Sequence, residues 1–134
     1  MATLTADMKD MIGHHLGYVA TVDDDGNPDI GPKMSTGVLD DSHLFFYERT
    51  PRQTYAHLKA NGRLVIAVAD LATKKGYRFF GPVTLHTDDQ IFQDAIAFAD
   101  AHGLKHPVTV PVMEVHRIDL LDAGPKAGTT IAQD

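Results

Sequence analysis

The chain has 134 residues, of which 43% are hydrophobic and 22% are charged, the composition of an ordinary globular domain. The net charge of −6 and the scattered lysines and arginines argue against nucleic acid as a partner. The absence of cysteine excludes disulfides, thiol catalysis and cysteine-held metal clusters. No segment has the length of a membrane span or the pattern of a signal peptide, so we expect no membrane partner and a cytoplasmic location.

The predicted elements are short strands joined by turns, with helices between them. In chain order they are a helix over 6–16, strands over 18–22, 30–38 and 44–47, a helix over 51–61, strands over 64–69 and 77–86, a helix over 88–102 and a strand over 107–120. Six strands with helices at the corners predict an α+β fold around an antiparallel β-barrel. We expect 1–134 to form a single domain whose ends, 1–4 and 123–134, are mobile.

Local signals refine three of these elements. The acidic run at 23–27 contains Asp-Gly and predicts a hairpin turn. Pro32 cannot donate a hydrogen bond to a neighbouring strand, so its strand is expected at a sheet edge, at a bulge or beside a site. Thr87 and Gln90 have the spacing of a capping box and predict the start of the third helix.

The start of the second helix carries the most distinctive chemistry of the chain. Thr50 suits the N-cap, Pro51 suits the first helical position, and Gln53 completes a capping box. Free N–H groups at a helix start, with Arg49 and Arg52 beside them, also form a site for an anion such as phosphate. Local sequence leaves two interpretations open: a self-sufficient helix cap with solvated arginines, or a phosphate cradle.

The remaining motifs assign no chemistry. The chain lacks a phosphate-binding glycine loop and the nucleophile elbow, so no catalytic residue is assigned. His102 and His106 are four residues apart, but Gly103 and Pro107 break the helix that would align them. The eight histidines therefore predict no metal site.

Three pieces of sequence, in this order and spacing, resemble the pyridoxamine 5′-phosphate oxidase-like family, the FMN-binding split barrels. They are GNPDIGPKMS at 26–35, LFFYE at 44–48 running into RQTYAHLKANGRL at 52–64, and YRFFGPV at 77–83. The resemblance covers about residues 5–121 and is closest to the short, single-domain flavoproteins of the family. It implies a six-stranded antiparallel split β-barrel with flanking helices, and a homodimer with FMN sites at the subunit interface.

The resemblance also implies which residues hold FMN. One strand runs along the flavin edge, a strand end lies beside the cofactor, and a loop with a helix start holds the phosphate; by this resemblance the cofactor-binding residues are Pro32, Lys33, Met34, Ser35, Tyr47, Glu48, Arg49, Thr50, Arg52, Gln53 and Thr54. Two positions depart from the family pattern. A basic residue is usual where Gln53 stands, and asparagine is usual where His57 stands. Gly81 is expected to permit close approach of chains at an interface.

The function implied is that of an FMN-dependent oxidoreductase, with FMN as cofactor and a reduced nicotinamide or another small molecule as partner. The chain lacks the extended C-terminal region with which the true oxidases grip their vitamin substrate, so pyridoxamine phosphate oxidation is not expected. Two alternatives stay open. One is a flavin-holding electron carrier or sensor without turnover. The other, which the Gln53 departure keeps open, is a split barrel that binds haem, deazaflavin or no cofactor.

Overall fold

A computed structural model describes all residues from Met1 to Asp134. The helices are α1 (Ala6–His14), α2 (Gln53–Asn61) and α3 (Gln90–His102). The strands are β1 (Gly17–Val22), β2 (Pro28–Lys33), β3 (Gly37–Asp40), β4 (His43–Phe45), β5 (Arg63–Asp70), β6 (Lys75–His86), β7 (Val110–Glu114), β8 (Arg117–Leu120) and β9 (Thr130–Gln133). All strand pairs are antiparallel, which confirms the predicted α+β class.

The nine strands form one sheet that bends into an open split barrel. Its main order is β2-β1-β5-β6-β7-β4-β3, while β8 pairs with β6 and β9 pairs with β8. The first half of β6 pairs with β8 and the second half with β7, and the change of partner occurs at Gly81. A Cβ atom at Gly81 would overlap the carbonyl oxygen of Glu114, so the close approach that this glycine permits lies within the chain.

The core lies on the inner face of this sheet. Alternate residues of β5, namely Leu64, Ile66 and Val68, are buried, as the two-residue period of a strand dictates. Helix α1 covers the core with one apolar stripe. Its N-cap is Thr5, which forms the reciprocal cap with Met8, and the Tyr77 hydroxyl donates a hydrogen bond to the Asp7 carboxylate beside that cap. The edge position predicted from Pro32 is confirmed, because β2 ends the sheet.

Two strands that the sequence predicts as continuous are broken. The strand predicted over 30–38 is divided into β2 and β3 by a tight turn, in which the N–H and the hydroxyl of Thr36 both donate to the carbonyl of Lys33, at 3.1 and 2.8 Å. The strand predicted over 107–120 is divided into β7 and β8, since the N–H of His116 donates to Phe80 where the partner changes. With β9 in the predicted tail, these two breaks account for nine strands instead of six.

Two predicted capping boxes are wrong. Helix α2 begins after Arg52, not Thr50, and no side chain caps it. Helix α3 begins after Asp89, not Thr87, because the Asp89 carboxylate accepts a hydrogen bond from the N–H of Phe92 at 3.2 Å. Both helices do end as predicted, at Gly62 and Gly103, each in the left-handed conformation that glycine adopts without strain.

Both ends of the chain, expected to be mobile, contact the rest of the fold. The N–H of Ala2 donates to Val115 at 2.8 Å, and the side chains of Ala2 and Leu4 are buried. The terminal ammonium of Met1 lies 2.7 Å from the carboxylate of Asp134. None of the three helices has the length and apolar character needed to span a membrane.

Candidate functional site

The chain that continues from β4 has two faces of different chemistry. Successive side chains of extended backbone point to opposite faces, so Phe46 and Glu48 turn inward while Phe45 and Tyr47 pack toward α3. The backbone of Glu48 is fixed on both sides: its N–H donates to Thr109 at 3.1 Å, and its carbonyl accepts from Val108 at 2.8 Å. We call residues 45–48 the dividing segment, because one candidate site lies on each side of it.

A buried ion pair lies on the inner side of the dividing segment. The Lys33 ammonium is 3.0 and 3.2 Å from the two carboxylate oxygens of Glu48. The Glu48 side chain is fully buried and that of Lys33 is 18% exposed. An unpaired carboxylate at this depth would be strongly unfavourable, so Lys33 is the counter-ion that allows Glu48 to be charged there.

Lys33 also borders a polar cavity of about 240 Å³ at the start of α2, which we call the anion cavity. The residues that line it are all polar: Asp29, Lys33, Thr50, Arg52, Gln53 and Thr54. No side chain accepts from the first turn of α2, so the N–H groups of Gln53 and Thr54 are free to bind a ligand. Arg52 is exposed and makes no ion pair, unlike Lys33.

The formal charge around the anion cavity is balanced. Lys33 and Arg52 are cationic, while Asp29 lines the cavity and Glu48 lies directly behind Lys33. Two positive and two negative groups leave no net attraction for an anion. Binding of a phosphate must therefore depend on directed hydrogen bonds, from the Arg52 guanidinium and the first N–H groups of α2.

The structure brings together about half of the predicted cofactor residues. Lys33, Thr50, Arg52, Gln53 and Thr54 line one cavity, and Glu48 supports it from behind. Asp29 lines the same cavity but was not predicted. The sequence could have indicated Asp29, because the two-residue period of β2 places Asp29 and Gly31 on the same face as Lys33.

The other predicted residues lie outside the anion cavity. Met34 is 90% exposed in the turn after β2, and Pro32 is exposed on the edge strand. The Ser35 hydroxyl accepts from the Tyr47 N–H at 2.8 Å and donates to its carbonyl at 3.4 Å, so it fixes the dividing segment. Tyr47 lies on the α3 side, with the guanidinium carbon of Arg49 5.4 Å from its ring centroid.

Burial and two nearby charged groups shift the pKa of the Tyr47 phenol. Burial raises its pKa above the usual value, the nearby Arg49 guanidinium lowers it, and the Asp94 carboxylate on α3 raises it further. Tyr47 is therefore a neutral hydrogen-bonding group near neutral pH. Arg49 does not line the anion cavity, and its Nε atom is buried without a hydrogen-bond partner.

His57, the second departure from the family pattern, is a packing residue. Its ring is buried, and Nδ1 lies 2.8 Å from the Thr21 hydroxyl on β1. The contact fixes α2, and with it the anion cavity, to the first strand. His57 lies on the buried side of α2 and does not line the anion cavity.

Comparison with known proteins gives one family. The family described as pyridoxamine 5′-phosphate oxidase matches residues 4–122. HupZ of Group A Streptococcus is 37% identical, with 93% of this chain and 99% of that chain covered and a TM-score of 0.85. A proposed pyridoxamine 5′-phosphate oxidase from Lactobacillus delbrueckii is 30% identical, covering 87% and 93% of the two chains, with a TM-score of 0.76.

A more distant structure shares the fold. It is an FMN-binding protein from Syntrophomonas wolfei, 18% identical, with 84% of this chain and 82% of that chain covered and a TM-score of 0.70. A search of curated proteins found no match.

Proposed function

The chain belongs to the pyridoxamine 5′-phosphate oxidase family, and from this premise we propose that it is an FMN-binding oxidoreductase that takes hydride from a reduced nicotinamide. The observation that carries the proposal is the anion cavity: an uncapped helix start and an unpaired arginine at one polar cavity. The relative from Syntrophomonas wolfei is FMN-binding, which supports a flavin-type cofactor in this fold.

The residues of the anion cavity fit a phosphate monoester. The first N–H groups of α2 point their dipoles toward the cavity, and a phosphate there is favoured by the positive end of the helix. The Arg52 guanidinium can donate two parallel hydrogen bonds to one phosphate group. Thr50 and Thr54 add hydroxyls that both donate and accept, and Gln53 contributes an amide in place of the usual charge.

Each supporting residue has a distinct role in this proposal. FMN supplies the two-electron chemistry when it is bound, while the protein binds and orients it. The Lys33 ammonium presents positive charge at the inner end of the cavity, and Glu48 holds it in position. Ser35 fixes the backbone of Tyr47 next to Glu48, and would keep this segment in place when FMN is bound. No side chain is assigned as a general acid or base.

An exposed apolar face supports the homodimer that accompanies this proposal. Tyr18 and Ile30, on adjacent strands β1 and β2, are 44% and 69% exposed, and Leu16 lies beside them in one apolar depression. Exposed apolar residues grouped in this way are a feature of protein–protein contact surfaces. Replacing Ile30 with Asp should convert a dimer to a monomer in sedimentation experiments, whereas Val108→Asp, at an exposed apolar position elsewhere, should not.

The visible spectrum of the purified protein tests the cofactor directly. The proposal expects flavin absorption, or its appearance after FMN is added and unbound FMN removed. A colourless protein that takes up no FMN would contradict it. Oxidation of reduced nicotinamide by the loaded protein then separates an enzyme from an electron carrier, because a carrier binds FMN without stimulating that oxidation.

A further inference from the structure

A second cavity system lies on the other side of the dividing segment. Two adjoining cavities of about 270 and 70 Å³ share Leu39 and Ile91 as lining residues. Together they form one groove between the N-terminal half of α3 and strands β3, β4, β6 and β7, which we call the α3 groove. None of its lining residues lines the anion cavity, so the two sites are separate.

The groove opens beside the point where α3 packs on the sheet. There Ala95 is fully buried and packs against Val110 and Val112 of β7, with Ile91 and Phe92 next to this contact. Toward the start of the helix, larger and polar residues face the groove instead. Its floor is apolar and includes Phe45, Val110 and Val112, and so suits the hydrocarbon or aromatic body of a small ligand.

The polar groups around this floor are acceptors and carboxylates. Asp40, Asp94 and Glu114 line the groove, and no lysine or arginine does. Beyond the lining, the Arg49 guanidinium lies over the Tyr47 ring, and His116 contacts the Glu114 carboxylate at 3.3 Å. The anion cavity has a balanced formal charge and no hydrophobic lining, so the two sites differ in both charge and polarity.

Two histidines add acceptors of fixed orientation. Nδ1 of His43 lies 2.8 Å from the Asp40 carboxylate, and Nδ1 of His86 contacts the Asp89 carboxylate. A carboxylate only accepts, so Nδ1 of each ring donates this hydrogen bond; in the neutral form of the ring, Nε2 is then an acceptor. An ammonium group offers donors only, and so matches these nitrogens and the neighbouring carboxylates.

We propose that the α3 groove is a second ligand site, which binds a small organic amine by its charged ammonium group and its apolar body. The three lining carboxylates attract the cation, and Phe45 and Tyr47 border the apolar part of the groove. The site does not depend on FMN, because the dividing segment separates the groove from the anion cavity.

The test uses tryptamine as the amine and indole-3-propionate as a matched anion with the same ring. The protein contains no tryptophan, so fluorescence anisotropy of the indole, excited beyond tyrosine absorption, reports the probe alone. Tryptamine should bind at least about tenfold more tightly than indole-3-propionate, a difference of about 1.4 kcal/mol. Asp94→Asn and Glu114→Gln should each weaken tryptamine binding about three- to fivefold, since each removes one lining carboxylate.

Two controls separate this site from the cofactor site. Asp88→Asn removes an exposed carboxylate near the start of α3 that does not line the groove, and should leave tryptamine binding unchanged. Arg52→Ala, at the anion cavity, should also leave it unchanged. Equal binding of the two indoles, or equal effects of Asp94→Asn and Asp88→Asn, would overturn the proposal. Displacement of tryptamine by FMN would also overturn it, because the groove would then belong to the cofactor site.

Discussion

Helices α2 and α3 begin in opposite ways, and the difference is reflected in the sites beside them. Helix α2 has no side-chain cap, and its first turn borders a cavity lined only by polar residues. Helix α3 is capped by Asp89 and flanks a groove with an apolar floor. The first N–H groups of an uncapped helix remain available to bind a ligand. In a capped helix a side chain already accepts from them, so the helix contributes to a neighbouring site through its side chains instead.

The dividing segment explains how two such different sites lie so close together. Alternation along extended backbone sends Phe45 and Tyr47 to the α3 groove and Glu48 to the ion pair behind the anion cavity. Each site is thus supported by one face of the same four residues. Substitutions on either face should reveal how independent the sites are.

The largest effect is expected from Glu48→Gln. The change keeps the size of the side chain but leaves the Lys33 ammonium without its counter-ion. Removing one partner of a buried pair costs 3–5 kcal/mol, and the partial exposure of Lys33 favours the lower end, about 3 kcal/mol. Urea denaturation measures the loss in the free energy of unfolding.

The matched control is the double variant Lys33→Met/Glu48→Leu, which removes both charges together. It should be more stable than Glu48→Gln, since no unpaired charge remains. Equal losses in the single and double variants would show that packing around Glu48, rather than the ion pair, is what matters.

The next largest effect is expected on the affinity for FMN, from a substitution in the anion cavity. Arg52→Ala should weaken FMN binding about twentyfold, because a hydrogen bond to a charged group contributes roughly 1.5–3 kcal/mol. Quenching of flavin fluorescence during titration measures the affinity. Arg63→Ala, an exposed arginine at the start of β5, is the control and should leave the affinity unchanged. If the two variants behave alike, the phosphate is bound elsewhere.

The sequence predicted the elements better than their ends. The turn after Lys33 escaped prediction because its hydrogen bonds come from Thr36, a residue equally suited to a strand. The division between β7 and β8 depends on contacts with Phe80 and Ser42, distant in sequence, so no local pattern could reveal it. The resemblance assigned both Arg52 and Lys33 to cofactor binding, and the structure places them at one cavity. No pattern along the chain shows that Glu48 is the counter-ion of Lys33.

The α3 groove escaped prediction for a similar reason. His43 and His86 are far apart in sequence, and neither has metal-ligand spacing or a catalytic motif. Their shared surface arises only because β4 and β6 both pair with β7. Residues 44–47 (LFFY) form an unbroken apolar run, so no alternation in the sequence shows which of their side chains a helix covers.

A smaller effect distinguishes the two helix starts directly. Asp89→Ala should lower the free energy of unfolding by about 1 kcal/mol, because it removes the N-cap hydrogen bond of α3 together with the contact to His86. Thr50→Ala should change it by less than about 0.5 kcal/mol, since Thr50 caps nothing. Thermal denaturation of both variants measures the contrast. A loss at Thr50 as large as that at Asp89 would mean that α2 is capped by Thr50 in solution.

The smallest effect tests whether the charge balance of the anion cavity limits its affinity. Asp29→Asn removes a carboxylate that lines the cavity and leaves Lys33, Arg52 and Glu48 in place. FMN should then bind about threefold more tightly, a gain of about 0.6 kcal/mol, which is the scale of a partly exposed charge interaction. The gain should shrink as salt is added, because screening acts on charge and not on shape. A loss of affinity instead would show that Asp29 accepts a hydrogen bond from the ligand, and the anion cavity would then recognise more than phosphate.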